Sequence, residues 1–123
     1  PGYQVTTVFT SAANAANERA KTEVFLRAFS RGADDFNAAL VDKTAGDDAA
    51  EDMVKLVHKY VYTDRPYEKA KPSIVNGAMR INAGAALNMA SVTDQVDWFK
   101  SEGLIKDDIT VDTLVDPSYV EAV

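Results

Sequence analysis

Residues 19–41 read RAKTEVFLRAFSRGADDFNAALV and carry the clearest helical pattern of the chain. Their apolar side chains recur at steps of three and four residues, the spacing that places side chains on one face of an α-helix. These residues are Phe25, Phe29, Ala33, Phe36 and Leu40. The pattern predicts a helix about 35 Å long with its phenylalanines in the core. Gly32 lowers helix stability, and we interpret it as a point of close packing against a neighbouring element.

Two shorter helices are predicted in the middle of the chain. Asp48 and Glu51 have the spacing of a capping pair, so a second helix is expected from there through Tyr62. The polar residues 68–72 are predicted to form a loop. Pro72 suits the first turn of a helix, because its missing N–H is not needed there. That short helix is expected to carry Ile74, Ala78 and Ile81 and to end at Asn82 or Gly84.

The last third of the chain is rich in signals for helix ends. Ser91 and Asp94 have the spacing of a cap and its third helical residue. Gly103 suits the left-handed position that ends a helix, and Leu104 would then contact Phe99.

Two further short helices are expected near the end of the chain. Thr110 is predicted to cap a short turn that carries Leu114 and Val115. Asp116 and Pro117 combine a cap with a first-turn proline, which predicts a final helix with Tyr119 and Val120.

Residues 3–10, YQVTTVFT, form the one stretch typical of a β-strand. Tyr3, Val5, Thr7 and Phe9 fall on one face of such a strand, and Thr6, Val8 and Thr10 are also β-branched. A single strand cannot satisfy its own backbone, so it needs a partner strand from a second copy or from a longer parent protein. The predicted fold class is therefore mainly α, with about five helices and one N-terminal strand.

Composition limits what the chain can do. It has 123 residues, no cysteine, and 13 Lys and Arg against 19 Asp and Glu, for a net charge of −6. This charge would be repelled by a phosphate backbone, so we expect no nucleic-acid partner. No apolar run approaches the roughly 18 residues of a membrane span. A start at Pro1 and an end at Val123 suggest a piece of a longer protein.

The sequence offers little for catalysis. His58 is the only histidine and lies within a predicted helix, where we interpret it as a solvated side chain. Asp47, Asp48, Glu51 and Asp52 would suit a cation, but acidic residues in a first helical turn are explained by the helix dipole. Trp98 either stacks on a ligand or is partly buried. No nucleotide-binding or nucleophile motif occurs. We expect no catalytic residue, no metal and no cofactor.

Residues 94–122, DQVDWFKSEGLIKDDITVDTLVDPSYVEA, resemble the C-terminal end of substrate-binding proteins that serve ABC importers of the nitrate, sulfonate, taurine and thiamine-precursor group. The stretch FLRAFSRGADD at residues 25–35 resembles a helix of the same family. The residues that carry the resemblance near the C-terminus are Gln95, Trp98, Phe99, Gly103, Leu104, Ile105, Leu114, Val115, Asp116 and Tyr119.

The resemblance implies an α/β fold of the type II periplasmic-binding class, with two lobes that close on a ligand. This chain would be its last third. Residues 1–10 would be the crossover strand that returns through the hinge, and residues 11–123 the helices that cover the first lobe. Tyr3 and Gln4 would then lie nearest the ligand, Tyr3 as a wall and Gln4 as an amide donor. Alternatively, both only line the end of the strand.

The partners implied by the resemblance are a small anionic or zwitterionic ligand and the permease of an ABC importer. The location would be periplasmic or otherwise extracytoplasmic, peripheral to the membrane at most. Two other functions stay open. One is an enzyme like the thiamine-pyrimidine synthases, although their cysteine-rich motif has no counterpart here. The other is a free-standing helical domain whose strand pairs across a symmetric dimer. An exposed strand edge recruits partners, so we expect this chain to self-associate.

Overall fold

The computed structural model describes residues 3–119, which are mainly helical and contain no β-sheet. Six α-helices follow one another along this part of the chain: α1 Ala12–Asn17, α2 Arg19–Phe36, α3 Asp47–His58, α4 Tyr67–Asn76, α5 Met89–Ser101 and α6 Val111–Leu114. A π-helical turn, Asn37–Val41, continues α2 directly, and a 3₁₀ turn, Ala83–Ala85, precedes α5. The prediction of a mainly α chain is confirmed, with six helices where about five were expected.

The chain divides into two compact units. One comprises Ser30–Ala83, and the other comprises Pro1–Phe29 together with Gly84–Val123. The core of Ser30–Ala83 lies between the π-helical turn, α3 and α4. Its buried residues are Ala39, Leu40, Val54, Ala70 and Ile74, and partly buried apolar side chains such as Phe36 and Tyr67 surround them. In the other unit, Ala86 and Val96 are the buried hydrophobic residues among those described.

The predicted helix of residues 19–41 is confirmed, but its apolar stripe is only partly core. Phe36 and Leu40 pack in the core, while Phe25 is 56% exposed and stacks on Phe29, which is also exposed. The prediction that all three phenylalanines are core residues is therefore wrong. Gly32 is not a close-packing position either, because a Cβ placed there would meet no atom within 4 Å.

Helix α3 is shorter than predicted. Its N-cap is Gly46, so Asp47 and Asp48 lie in the first turn, where their charges favour the helix dipole. The helix ends at His58 instead of Tyr62. Tyr62 has a φ of 58°, which an α-helix cannot continue through.

Helix α4 replaces the predicted loop over residues 68–72. Pro66 occupies the N-cap and the helix begins at Tyr67, so that Pro72 lies inside it and not in its first turn. An interior proline loses one backbone hydrogen bond and usually costs about 3 kcal/mol. Burial of Ala70 and Ile74 on either side of Pro72 offsets this cost. Tertiary packing thus overrides the local preference of Pro72 for a first turn. Ile81, which was expected on this helix, lies beyond its end at Asn76.

The end of α5 follows the prediction closely. Gly103 is left-handed with a φ of 66°, its N–H donates to the Lys100 carbonyl, and the Leu104 N–H donates to the Phe99 carbonyl. These two bonds define a Schellman ending. The start differs by three residues, because the cap is Asn88, whose Oδ1 accepts from the Ser91 N–H at 3.1 Å.

Two terminal predictions need correction. Residues 3–10 form no strand, because only Gln4 in this segment bonds through its backbone to another part of the described chain. The Thr110 cap of a short helix is confirmed, but residues 116–119 form turns and not a helix. Val120, predicted in that last helix, lies outside the described residues. Across residues 3–119, no helix has both the length and the apolar character needed to span a membrane.

Substitution by alanine should have opposite effects on stability at two glycines. Gly103→Ala is expected to lower the free energy of unfolding by about 1–2 kcal/mol, because Gly103 is left-handed and alanine is strained there. Gly32→Ala should raise it by up to about 1 kcal/mol, because Gly32 lies inside α2 with space for a methyl group. Urea denaturation followed by circular dichroism measures both. A destabilising Gly32→Ala would contradict this account of α2.

Candidate functional site

Gln4, one of the two predicted ligand residues, is bound to the start of α5. Its backbone N–H donates to Ser91 Oγ at 2.8 Å, and its carbonyl accepts from Gln95 Nε2 at 3.0 Å. Its side-chain Oε1 accepts from the Asn88 N–H at 2.9 Å. We call Gln4, Asn88, Ser91 and Gln95 the α5 anchor. It fixes the N-terminal segment to the first turns of α5.

Only a few groups of Tyr3 and Gln4 remain available to bind a ligand. Gln4 Nε2 donates to the Thr6 carbonyl at 2.7 Å, and an amide nitrogen has two hydrogens, so one N–H is free of that bond. Tyr3 is 66% exposed and is adjacent in sequence. The two side chains therefore offer one amide donor and one aromatic face. Their role as ligand residues stays a prediction.

A second polar cluster joins α3 to α4 inside Ser30–Ala83. The Tyr67 hydroxyl donates to Glu51 Oε1 at 2.6 Å, and Lys71 Nζ donates to Glu51 Oε2. Lys55 lies one turn along α3, with its Nζ 3.8 Å from the same carboxylate. We call Glu51, Tyr67 and Lys71 the α3–α4 network. Because each of its polar side chains already has a partner, its evident role is to hold two helices together.

The protonation of this network follows from its contacts. Hydrogen bonds from Lys71 and then Tyr67 lower the pKa of Glu51, so its stabilising effect is present above its ordinary pKa and is lost as the pH falls through the lowered value. Burial, followed by the hydrogen bond to Glu51, raises the pKa of Tyr67 to about 12. The neutral Tyr67 phenol therefore favours the folded state below pH 10, and this contribution is lost between about pH 10 and 12.

His58 is bound and is not the solvated side chain expected from the sequence. It is the last residue of α3, and its Nε2 lies 3.0 Å from the Arg65 carbonyl. A carbonyl only accepts, so Nε2 carries the hydrogen of this bond. The imidazole edge also meets the Tyr67 ring, with centroids 5.6 Å apart. His58 thus closes the loop between α3 and α4.

The Tyr67 phenol is expected to titrate with a pKa of about 12. In Glu51→Gln its pKa should fall from about 12 towards 10, because the charge and the acceptor strength of the carboxylate are lost while burial remains. NMR titration of the tyrosine rings, with Tyr67→Phe for assignment, measures this. Asp52→Asn is the control, since Asp52 acts on Tyr67 only through its charge. An unchanged Tyr67 titration in Glu51→Gln would contradict the network.

The acidic cluster at the start of α3 does not assemble a cation site in the described part of the chain. Within residues 3–119, no group of three or more carboxylate or imidazole side chains is placed to hold a metal ion. Trp98 is 54% exposed and meets the Phe99 ring edge-on at 5.1 Å between centroids. The indole is therefore partly buried against its neighbour, with one part open to solvent.

Sequence reasoning missed the α3–α4 network because residues 68–72 were predicted as a loop. The signal was present: Tyr67 and Lys71 are four residues apart, the spacing that places two side chains on one helix face. Ser91 was recognised as a capping candidate, but its hydroxyl instead accepts from the Gln4 N–H. Asn88 carried a signal too, because asparagine is a preferred cap.

Comparisons with protein-family models, with curated proteins and with solved structures find no match to this chain.

Proposed function

We propose that this chain is the C-terminal part of an extracytoplasmic solute-binding protein that delivers a small anionic or zwitterionic ligand to an ABC importer. In this proposal the parent has the two-lobed α/β fold of the type II periplasmic-binding class. The lobes close on the ligand by a hinge motion, and the permease recognises the closed form. Residues 3–10 belong to the crossover that returns through the hinge.

The observation that carries the proposal is the bond from Gln95 to the Gln4 carbonyl, 3.0 Å long. Gln95 is one of the residues on which the resemblance rests, and Gln4 lies in the segment assigned to the crossover. In a two-lobed receptor the returning chain must be held against the C-terminal helices. The α5 anchor provides such an attachment through three further atoms, the Ser91 hydroxyl, the Asn88 N–H and the Gln4 side-chain oxygen.

Exposed apolar side chains after the anchor support the same proposal. Val5 is 72% exposed and Phe9 is 90% exposed. An uncharged segment rich in β-branched residues suits a sheet, and a parent protein would supply that sheet from its first lobe. Phe25 and Phe29 add an exposed aromatic stack on helix α2. Exposed apolar patches of this kind usually mark surfaces that another element covers.

The first experiment is to read the coding sequence upstream of Pro1 and to purify the protein that it encodes. The proposal expects a secretion signal and a first lobe. Thermal unfolding is then measured with nitrate, taurine and an aminopyrimidine thiamine precursor. A ligand that binds only the folded state stabilises it by about 2.7 kcal/mol at one hundred times its dissociation constant. An upstream cysteine cluster would favour the enzyme alternative, and no upstream lobe would contradict the receptor.

The Gln4 prediction has its own test in the same protein. If the Gln4 amide binds the ligand, Gln4→Ala should raise the dissociation constant by about tenfold, the effect of losing one hydrogen bond to a charged group. Ser91→Ala is the matched control, because it removes the bond to the Gln4 N–H and leaves the amide in place. Equal affinities of the wild type and Gln4→Ala would remove Gln4 from the ligand site.

A further inference from the structure

The peptide bond between Asn76 and Gly77, at the end of α4, is suited to a reaction of the chain with itself. An asparagine side chain loses ammonia when the backbone nitrogen of the next residue attacks its amide carbon. Glycine hinders this attack least, because it has no Cβ beside that nitrogen. Of the six asparagines in the sequence, Asn76 is the one that precedes glycine, and the others precede alanine, glutamate or methionine.

The structure exposes this bond and favours glycine in it. Asn76 and Gly77 are both exposed, and within residues 3–119 the Asn76 side chain makes no hydrogen bond or ion pair. A Cβ on residue 77 would lie 2.9 Å from the Ser73 carbonyl oxygen, so a larger residue would strain the end of the helix. The packing of the last turn therefore favours the glycine that makes Asn76 reactive.

The last turn of α4 holds the attacking nitrogen in a different bond. Asn76 is the last helical residue, and the Gly77 N–H donates to the Ser73 carbonyl at 3.0 Å. Attack requires this nitrogen to lose its hydrogen, and the backbone to rotate about the Asn76 Cα–C bond, away from the helical ψ of about −42°. Both changes break the bond to Ser73. The reaction therefore needs the end of α4 to open, which helix ends do at a low free-energy cost.

We propose that the Asn76–Gly77 bond is a deamidation site whose rate is set by opening of the last turn of α4. The Gly77 nitrogen gives its proton to solvent and bonds to the Asn76 side-chain carbon. The side-chain nitrogen takes up a proton and leaves as ammonia, and the product is a cyclic succinimide. Water then adds to either ring carbonyl and breaks its bond to nitrogen. Residue 76 becomes aspartate, or isoaspartate with the main chain running through its side-chain carbon.

The isoaspartyl product should weaken Ser30–Ala83. It adds a carbon to the main chain between Ile74, which is buried in the core, and Ile81, whose backbone is bonded to the Asn37 side chain. Either product also places a negative charge at the C-terminal end of α4, where the helix dipole disfavours it. The deamidation site does not depend on the receptor function, so either proposal can fail alone.

Mass spectrometry of the chain after storage at mildly alkaline pH measures the reaction. The tryptic peptide of residues 70–80 contains Asn76 as its single asparagine. Asn17 is the matched control, because it is also exposed and is the last residue of α1, but Glu18 follows it. Asn76 should gain the mass of deamidation about tenfold or more faster than Asn17. Equal rates at the two asparagines would overturn the proposal.

Unfolding tests the control of the rate by α4. In guanidinium chloride that unfolds the chain, deamidation at Asn76 should be about tenfold or more faster than in the folded chain, because no opening step is then needed. If the folded and unfolded chains reacted equally fast, α4 would not protect the bond.

The effect of the product on stability is measured on the separated isoaspartyl form. Its equilibrium constant for unfolding should be about tenfold or more above that of the fresh chain. Asn76→Ala, stored in the same way, is the control, because it cannot form the succinimide and should keep its stability. An isoaspartyl form as stable as the fresh chain would contradict the predicted weakening of Ser30–Ala83.

Discussion

Asn37→Ala should lower the free energy of unfolding of Ser30–Ala83 by about 2–3 kcal/mol, because two hydrogen bonds to a buried side chain are lost. Asn37 is 6% exposed and lies in the π-helical turn after α2. Its Nδ2 donates to the Ile81 carbonyl at 2.7 Å, and its Oδ1 accepts from the Ile81 N–H at 3.0 Å. The amide thus binds one residue of the segment after α4 through both backbone groups. Urea denaturation followed by circular dichroism measures the loss.

Two further variants test whether the loss comes from the hydrogen bonds of Asn37. Asn37→Asp keeps the acceptor but loses the donor, and its carboxylate faces the Ile81 carbonyl, so the loss at neutral pH should be at least as large as with alanine. Asn76→Ala is the control, because Asn76 is an exposed residue at the end of α4. Its effect should stay within about 0.5 kcal/mol. If Asn37→Ala changed stability no more than Asn76→Ala, the paired bonds to Ile81 would not contribute.

Ile74→Ala is expected to be the most damaging truncation in the same core, with a loss of about 2–5 kcal/mol. Ile74 lies on α4 and is 6% exposed, packed with Val54 of α3 and Leu40 of the π-helical turn in one cluster. Removing its side chain leaves a cavity that three separate elements would have to close. Ile74→Val removes one methylene and should cost about 0.5–1.5 kcal/mol. The same denaturation measurement gives both values.

Val75→Ala is the matched control for the core truncation. Val75 is the next residue of α4 and lies on its exposed side, so alanine there removes little buried surface. Its effect should be small, and the gain in helix propensity from replacing a β-branched residue acts in the opposite direction. Comparable losses for Ile74→Ala and Val75→Ala would show that α4 does not pack as described.

Local sequence signals predicted helix ends well where one residue type meets one backbone requirement. Gly103 is an example, because the left-handed backbone conformation after α5 is strained for a residue with a side chain. Glycine adopts it without that strain. Thr110 before α6 is another, because a hydroxyl can serve the free groups of the first turn. The α2 prediction rested on periodicity over many residues, which random spacing rarely imitates.

Predictions failed where contacts with residues distant in sequence had a larger effect on the structure than the local sequence signal. Pro72 has every local reason to begin a helix, yet α4 continues through it, with Ala70 and Ile74 buried on either side. Residues 3–10 have the composition of a strand, but strand formation needs a second backbone. In this segment only the Gln4 backbone bonds to another part of the described chain, and its partners are side chains of α5. The α3–α4 network was missed because residues 68–72 were predicted as a loop, so the spacing of Tyr67 and Lys71 was not recognised as one face of a helix.

The amino-acid order alone was enough for the mainly helical character, the extent of α2 and the ending of α5, because these depend on interactions within a few residues of each other. Which face of α2 is buried, whether Pro72 lies inside a helix and where the Asn37 amide finds its partner depend on contacts between separate elements, such as the bond between Asn37 and Ile81, which are 44 positions apart. Those contacts form only when the elements pack, since burial and long-range hydrogen bonds have no counterpart in a local pattern.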